Sequence, residues 1–194
     1  VLPMAWERLR TRIQFDTRKR VHTAFSLVFI AGLACHAPAT NIAYAMGITL
    51  AIFALDWLWC AFFLTYKIDT TRFVRLDRGV QMTFTNPPGF HASVKGYIQV
   101  CIPWISKDEW HAFSCYADTE DDTKSSVCIA VVGDWTRALR DEVEHDTVRP
   151  CFVCGPFTSA FSSATQADKI LLVATGIGIT AALQIIMSEE QETR

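Results

Sequence analysis

Apolar residues are concentrated near the start of the chain, in residues 21–66. They form two runs, residues 21–37 and 42–64, and Pro38 separates them because it disfavours helix at the preceding residue. A membrane-spanning helix needs about 20 mostly apolar residues. The pattern therefore predicts two transmembrane helices within residues 21–66, joined by a tight turn.

A basic segment, residues 1–20, precedes the first apolar run and contains six Lys or Arg residues. Cationic segments next to membrane helices usually stay in the cytosol. Two helices return the chain to its starting side, so the residues after Lys67 are also predicted to be cytosolic. Asp56 is the one formally charged residue between the basic segment and Lys67. We interpret it as a boundary residue near the lipid headgroups rather than as a proton relay.

From residue 70 the pattern changes to short segments in which apolar and polar residues alternate. A period of two predicts half-buried strands, and Asn, Gly and Pro between the segments predict turns. Several short strands of this kind predict a small antiparallel barrel over residues 70–149. The predicted strands are residues 73–76, 80–85, 97–102, 113–116 and 127–132.

The last part of the chain, residues 150–194, has another pattern. Residues 169–174 predict a strand, a turn with two glycines follows, and residues 181–187 predict an apolar helix. These elements form one βα unit. Together with a short helix predicted at residues 135–144, the fold class is membrane α-helices followed by an α+β region.

Composition narrows the classes of function. The chain has 194 residues, 51% of them hydrophobic, and a mean hydropathy of +0.20. Its net charge of −2 gives no support for nucleic-acid binding. Seven cysteines are an odd number and fit no disulfide framework. Cys151 and Cys154 form a C-x-x-C pair without the second pair that zinc needs, so we interpret them as reduced thiols.

Two histidines, His22 and His36, lie at opposite ends of the first apolar run. On a helix this spacing places both imidazoles on one face, about 21 Å apart along the axis. Ionisable groups in a membrane are costly and usually serve a ligand or a pathway. Two stacked metal ligands would suit a route for electrons, and incidental interfacial histidines are the alternative.

The segment from Ser106 to Ser114, with the sequence SKDEWHAFS, resembles the flavin-binding motif of the NADPH oxidase and ferric reductase family. In that family a Glu-Trp-His-Pro-Phe-Thr run ends on a strand against the flavin ring. The resemblance implies that FAD contacts His111, Ala112, Phe113 and Ser114. Ala112 replaces the proline and loses its fixed φ, whereas Ser114 keeps the hydroxyl of the threonine.

A second segment, VVGDWT at residues 131–136, also resembles the family. There this turn opens a helix whose N-terminal amides meet the FAD pyrophosphate, because a helix N-terminus suits an anion. The resemblance implies cofactor contacts from Gly133, Trp135 and Thr136. Ala130 stands where the family often has a basic residue, which weakens the grip on phosphate.

Two further turns resemble NADPH-binding elements of the same family. Residues 155–157 (GPF) resemble the turn at the start of its pyridine-nucleotide domain, and residues 176–180 (GIGIT) resemble its pyrophosphate loop. The implied NADPH-binding residues are Gly155, Pro156, Gly176, Gly178, Ile179 and Thr180.

The resemblance implies a ferredoxin-reductase-like FAD barrel, the start of an NADPH-binding domain at residue 150, and haem b in the membrane. NADPH gives up two electrons at once and haem iron accepts one, so FAD must stand between them. His22 would bind the iron of an inner haem and His36 that of an outer haem. Because two bis-histidine haems need four membrane histidines, the chain is expected to be a piece of a longer multi-pass protein.

The implied function is electron transfer from cytosolic NADPH through FAD and two haems to an acceptor across the membrane. Dioxygen, giving superoxide, is the expected acceptor, and ferric iron is the alternative. Membrane lipid and regulatory or assembly subunits are the other expected partners, at the plasma membrane.

A non-catalytic relative that acts in assembly or regulation is the alternative from a different class. Ala112, Ala130, Thr158 and Ala181 each depart from the family pattern and loosen a cofactor contact. At the level of the motifs, the alternatives are an ordinary strand at His111 and a turn without nucleotide at residues 176–180.

Overall fold

The computed structural model describes residues 15–36, 40–90, 96–118, 121, 123–159 and 169–192. These residues form two compact units, Val1–Trp57 and Leu58–Arg194. The first unit consists of helix α1 (Phe15–His36) and most of helix α2 (Thr40–Trp59). α1 begins inside the basic segment, earlier than the start at residue 21 that apolar patterning predicts.

One helix among the described residues is long and apolar enough to cross a membrane. It runs from Tyr44 to Leu64, has a mean hydropathy of 1.9 and buries none of its length inside the protein. It combines α2 with a π-helical turn, Cys60–Leu64. A second membrane helix, expected from residues 21–37, stays a prediction.

The π-helical turn connects the apolar helix to the second unit without a loop, since Thr65 begins the next strand. The carbonyl of Cys60 accepts hydrogen bonds from the Thr65 hydroxyl at 2.9 Å and from the Cys154 thiol at 3.9 Å. The turn therefore packs on the sheet, and the sheet begins before the predicted boundary at residue 70.

Seven antiparallel strands form one sheet in the order β4-β3-β7-β1-β2-β6-β5. The edge strands β4 and β5 are consecutive in the chain and only Cys115 lies between them. A sheet whose two edges are joined by one residue must curl, and β4 approaches β6. The nearly closed antiparallel barrel fits the expected ferredoxin-reductase-like fold. Its strands are β1 (Thr65–Leu76), β2 (Gly79–Thr85), β3 (Gly96–Cys101), β4 (His111–Ser114), β5 (Tyr116–Ala117), β6 (Lys124–Ala130) and β7 (Asp146–Thr158).

Alternation along the strands builds the core of the barrel. On β2, Val80, Met82 and Phe84 are at most 1% exposed, while the residues between them face outward. Burying a large apolar side chain contributes about 1.5–3 kcal/mol, so each of these three side chains stabilises the barrel substantially. The same interior also receives Phe73, Ile98, Val100, Ile102, Val127, Ile129, Leu139, Val143 and Val153.

Strand β7 is the main element that the sequence pattern did not predict. It lies between β3 and β1, and the expected boundary between residues 149 and 150 falls inside it. Pro150 sits at a register shift against β1, and Gly155-Pro156 sits at a second shift against β3. Proline is tolerated within sheets at such bulges. Residues that normally interrupt a strand therefore lie within this one.

The strand predicted at residues 169–174 was wrong. The described residues 169–175 adopt no regular secondary structure, and Leu171 and Val173 are 89% and 83% exposed. A strand needs a neighbour for its backbone hydrogen bonds, and the described residues provide none there. The predicted turn and helix follow as a 3₁₀ turn, Gly176–Gly178, and helix α4, Ile179–Glu192. The other predicted helix is α3, Asp134–Glu142.

The C-x-x-C pair lies on β7, where residues three apart point to opposite faces of the sheet. The Cys151 thiol is buried and lies 3.1 Å from the Thr71 hydroxyl, whereas the Cys154 thiol points to the Cys60 carbonyl. All seven cysteines are free thiols. The interpretation of reduced thiols agrees with this geometry.

Buried thiols should resist alkylation while the barrel is folded. Burial raises the pKa of Cys115 to about 12 and that of Cys151 to about 11, so neither forms the reactive thiolate at pH 8. We expect iodoacetamide at pH 8 to leave both unmodified, as read by peptide mass spectrometry, and to modify both after unfolding in urea. Rapid labelling of either cysteine in the folded protein would contradict this burial.

Candidate functional site

Strand β4 carries the first predicted flavin-contacting residues at an edge of the barrel. His111 pairs with Val100 of β3, and Ser114 pairs with Tyr97. Phe113 packs against the core, whereas Ala112 is exposed on the other side of the strand. The strand is thus anchored through Phe113 and exposes Ala112.

The second group of predicted FAD-contacting residues, Gly133, Trp135 and Thr136, lies at the N-terminus of helix α3. The Thr136 hydroxyl accepts hydrogen bonds from the Val132 and Gly133 amides at 3.0 and 2.9 Å and donates to the Gly133 carbonyl at 3.0 Å. The Arg137 amide makes the first helical bond, to the same carbonyl. The amides of residues 134–136 have no partner within the helix and can therefore receive an anion.

Gly133 leaves room for that anion. A Cβ atom at this position would meet nothing within 4 Å. Its backbone is extended, so the conformation does not require glycine, and the open space beside it is free for a ligand.

Aromatic rings join the two sets of residues. The ring centroids of His111 and Trp135 lie 4.1 Å apart, and Phe113 stacks beside Trp135 at 6.2 Å. Strand β4 and the first turn of α3 therefore contact each other through their side chains. Closure of the barrel brings these distant segments together.

Glu109 is a neighbour that the sequence analysis did not assign to the site. Its carboxylate accepts a hydrogen bond from the Ser106 hydroxyl at 3.0 Å and lies 3.3 Å from the His111 Nε2 atom. The signal was available, since Glu109 belongs to the same Glu-Trp-His run, but the pairing depends on the fold of the loop.

The residues at this edge fit a flavin dinucleotide. The Trp135 indole N–H is buried and has no hydrogen-bond partner among the described residues. Trp135 belongs to the first turn of α3, where a helix N-terminus favours phosphate, and its ring faces His111 of β4. Ring-stacking, hydrogen-bonding and anion-binding groups are thus present along one edge.

The glycine turn at residues 176–178 lies next to β6, and the α4 helix after it packs against β4 and β5. Gly176 has a φ of +56°, a conformation that glycine adopts without strain, and open space lies beside Gly176 and Gly178. The buried Thr180 hydroxyl donates to the Ile177 carbonyl at 2.8 Å, while Ile179 is exposed. The turn is open to a phosphate on its outer side.

Gly155 and Pro156 lie apart from that turn, in the second bulge of β7. Phe157 stacks on Tyr97 of β3 at 5.3 Å, and Tyr97 pairs in turn with Ser114 of β4. The structure thus places Gly155 and Pro156 near the end of strand β4.

Gly155 should be intolerant of a side chain. Its φ is +132°, and a Cβ atom would lie 3.2 Å from the Phe157 amide nitrogen. We expect Gly155→Ala to lower the free energy of unfolding by about 1–3 kcal/mol, measured by urea denaturation. Gly178→Ala is the control, because it meets open space and should leave the stability unchanged. Equal stability of both variants would contradict the strained geometry.

Helix α1 carries both predicted haem ligands, His22 and His36, on one continuous helix. His22 borders an apolar surface groove of about 530 Å³ together with Phe25, Phe29 and Ile30. His36 is the last residue of the helix, and both imidazoles are exposed on its surface. An exposed imidazole beside an apolar groove fits an axial ligand of haem. The described residues contain no cluster of three or more metal-binding side chains.

Comparison with known proteins identifies the type of domain that the barrel forms. Residues 66–151 match the family model of an FAD-binding domain. The chain is 37% identical to mouse NADPH oxidase 1 over 124 residues, which covers 63% of this chain and 21% of the relative. It is 31% identical to human NADPH oxidase 3 over 130 residues, covering 63% and 23%.

A second group of relatives is named for the reduction of ferric iron. The chain is 26% identical over 125 residues to the Arabidopsis thaliana protein "Ferric reduction oxidase 8, mitochondrial", which covers 60% of this chain and 17% of the relative. The chain thus spans about a fifth of the length of these relatives. The FAD-binding match, the barrel and the shared sequence together support assignment of the chain to the NADPH oxidase and ferric reductase family of oxidoreductases.

Proposed function

We propose that the protein transfers electrons across a membrane, from cytosolic NADPH through FAD and two b-type haems to dioxygen on the opposite face. The observation that carries the proposal is the contact of His111 with Trp135 at 4.1 Å. It brings the strand expected to face the flavin ring against the helix expected to hold the pyrophosphate.

The residues of the barrel would bind and orient FAD. The amides at the start of α3 would hold the pyrophosphate, with Gly133 leaving space for it. The Ser114 hydroxyl on β4 would bond the polar edge of the ring. When bound there, FAD would supply the link between a two-electron donor and a one-electron acceptor.

The glycine turn would hold the pyrophosphate of NADPH. Its position beside β6, the strand that leads into the Gly133 turn, supports a second nucleotide near the first. Gly155 and Pro156 would complete the site from β7, since Phe157 stacks on the neighbour of the flavin strand.

Helix α1 would supply one imidazole to hold each haem iron, His22 on the cytosolic side and His36 on the side of the acceptor. The groove beside His22 supports the inner position. The apolar helix supports a membrane location, and the basic segment at residues 1–20 supports a cytosolic location for the barrel. We place the protein in the plasma membrane.

The absorbance spectrum of the purified full-length protein, which would supply the other two haem-ligating histidines, tests the proposal directly. Flavin and haem absorbance bands are expected, and NADPH should bleach the flavin band under anaerobic conditions. A protein that binds neither cofactor would instead support a non-catalytic role in assembly, which the departures at Ala112 and Ala130 favour.

Ferric iron is the second candidate acceptor, because ferric reduction oxidases are among the relatives. Membranes that contain the protein should produce superoxide in proportion to NADPH if dioxygen is the acceptor. Reduction of a ferric chelate that continues without oxygen and without superoxide would favour iron.

A further inference from the structure

Glu109 lies at the centre of a short chain of polar contacts at the start of the flavin strand. The loop before it is held by the amides of Ile105 and Ser106, which bond the Ile102 carbonyl at 2.9 and 3.0 Å. The Ser106 hydroxyl then donates to one carboxylate oxygen of Glu109 at 3.0 Å. The Glu109 side chain is 25% exposed, so solvent reaches it only in part.

The other carboxylate oxygen faces His111. It lies 3.3 Å from Nε2, and a carboxylate can only accept a hydrogen bond. Nε2 therefore carries the proton and donates it, which fixes the orientation of the imidazole ring. With its edge held by Glu109, the ring lies with its face toward Trp135 at 4.1 Å and a tilt of 34°.

We propose that Glu109 is a positioning residue for FAD, acting through His111. This inference rests on the proposed function, because it assigns a role within the same FAD site. Glu109 links the loop, strand β4 and the first turn of α3 by holding the His111 ring against Trp135. The spacing between the ring-binding strand and the pyrophosphate-binding helix is thereby set before the cofactor arrives.

The replacement of proline by Ala112 makes the contacts from Glu109 through His111 to Trp135 more important. Ala112 lacks the fixed φ that proline would provide, so the backbone of β4 is less restricted at its start. A binding site that is ordered in advance loses less free energy when its ligand binds. The contacts from Ser106 through Glu109 and His111 to Trp135 supply this order through side chains.

The test is a titration of FAD into the detergent-solubilised 194-residue chain, monitored by flavin fluorescence. We expect Glu109→Ala to weaken FAD binding about tenfold. Glu109→Gln should weaken it about threefold, because an amide offers one acceptor oxygen where the carboxylate offers two. Asp108→Ala is the matched control, an exposed neighbouring acid, and should change affinity less than twofold.

A double-mutant cycle separates positioning from a general loss of stability. In a His111→Phe background the ring remains and the hydrogen bond is gone, so Glu109→Ala should have less than a twofold further effect. Equal losses in both backgrounds, or a change below twofold in the parent, would overturn the inference while FAD binding by the parent upholds the proposed function. Failure of the parent chain to bind FAD would overturn both.

Discussion

Replacing His36 with alanine should remove the spectral signal of the outer haem while NADPH continues to reduce the flavin. His36 ends helix α1 and is its imidazole farther from the basic segment. A haem iron that would be held by two histidines loses one of its two bonds to the protein when His36 is replaced, which would weaken its binding. The measurement is the reduced-minus-oxidised difference spectrum of membranes that contain the protein, together with anaerobic flavin bleaching.

Two other histidines act as references for this experiment. His22→Ala should remove the inner haem and stop electron flow to the outer one, and His145→Ala, an exposed change outside α1, should leave both haems intact. If His36→Ala membranes kept their full haem content and their electron flow to the acceptor, the assignment of the ligand would be wrong.

Replacing Thr136 with valine should weaken FAD binding about tenfold, equivalent to about 1.4 kcal/mol. The valine keeps the shape of threonine but removes the hydroxyl that bonds the amides of Val132 and Gly133. Loss of a capping side chain costs about 0.5–2 kcal/mol and would leave the start of α3 less ordered for the pyrophosphate. Flavin fluorescence titration measures the affinity.

Thr136→Ser is the matched control, since serine retains the hydroxyl and removes one methyl group. It should bind FAD within twofold of the parent, although Thr136 is buried and the missing methyl leaves a small void. Valine and serine variants with the same affinity would show that the cap does not contribute to cofactor binding.

The residue pattern predicted those elements that are determined by interactions between residues close together in the sequence. Val80, Met82 and Phe84 alternate with polar residues, and β2 follows directly from that period. Helix α3 begins at the predicted turn because Thr136 bonds back to Gly133. Both elements could be predicted without knowing which other elements they pack against.

Strand β7 could not be predicted without knowing which strands it pairs with. Pro150, Gly155 and Pro156 normally interrupt strands, and only the bulges opposite β1 and β3 accommodate them. Residues 169–174 show the opposite case, because an apolar run that predicts a strand has no pairing partner among the described residues.

The site was predictable as separate motifs but not as an arrangement. His111 and Trp135 were each assigned to FAD from the resemblance, while their contact depends on the closure of the barrel. Glu109 was overlooked for a related reason, since its pairing with His111 depends on how the loop folds. Contacts between distant segments are set by the sheet order, which residue patterns alone do not contain.

The direct passage from the apolar helix into β1 has a practical consequence for expression. Residues 58–64 belong to the same compact unit as the barrel, and the Cys60 carbonyl receives bonds from both Thr65 and Cys154. A truncation that begins at Thr65 would thus delete the π-helical turn, which is part of the folded unit and not a flexible linker. A truncated version should retain Leu58 onward, and because Phe62 and Phe63 are 76% and 61% exposed, it should need detergent or surface redesign to remain monodisperse.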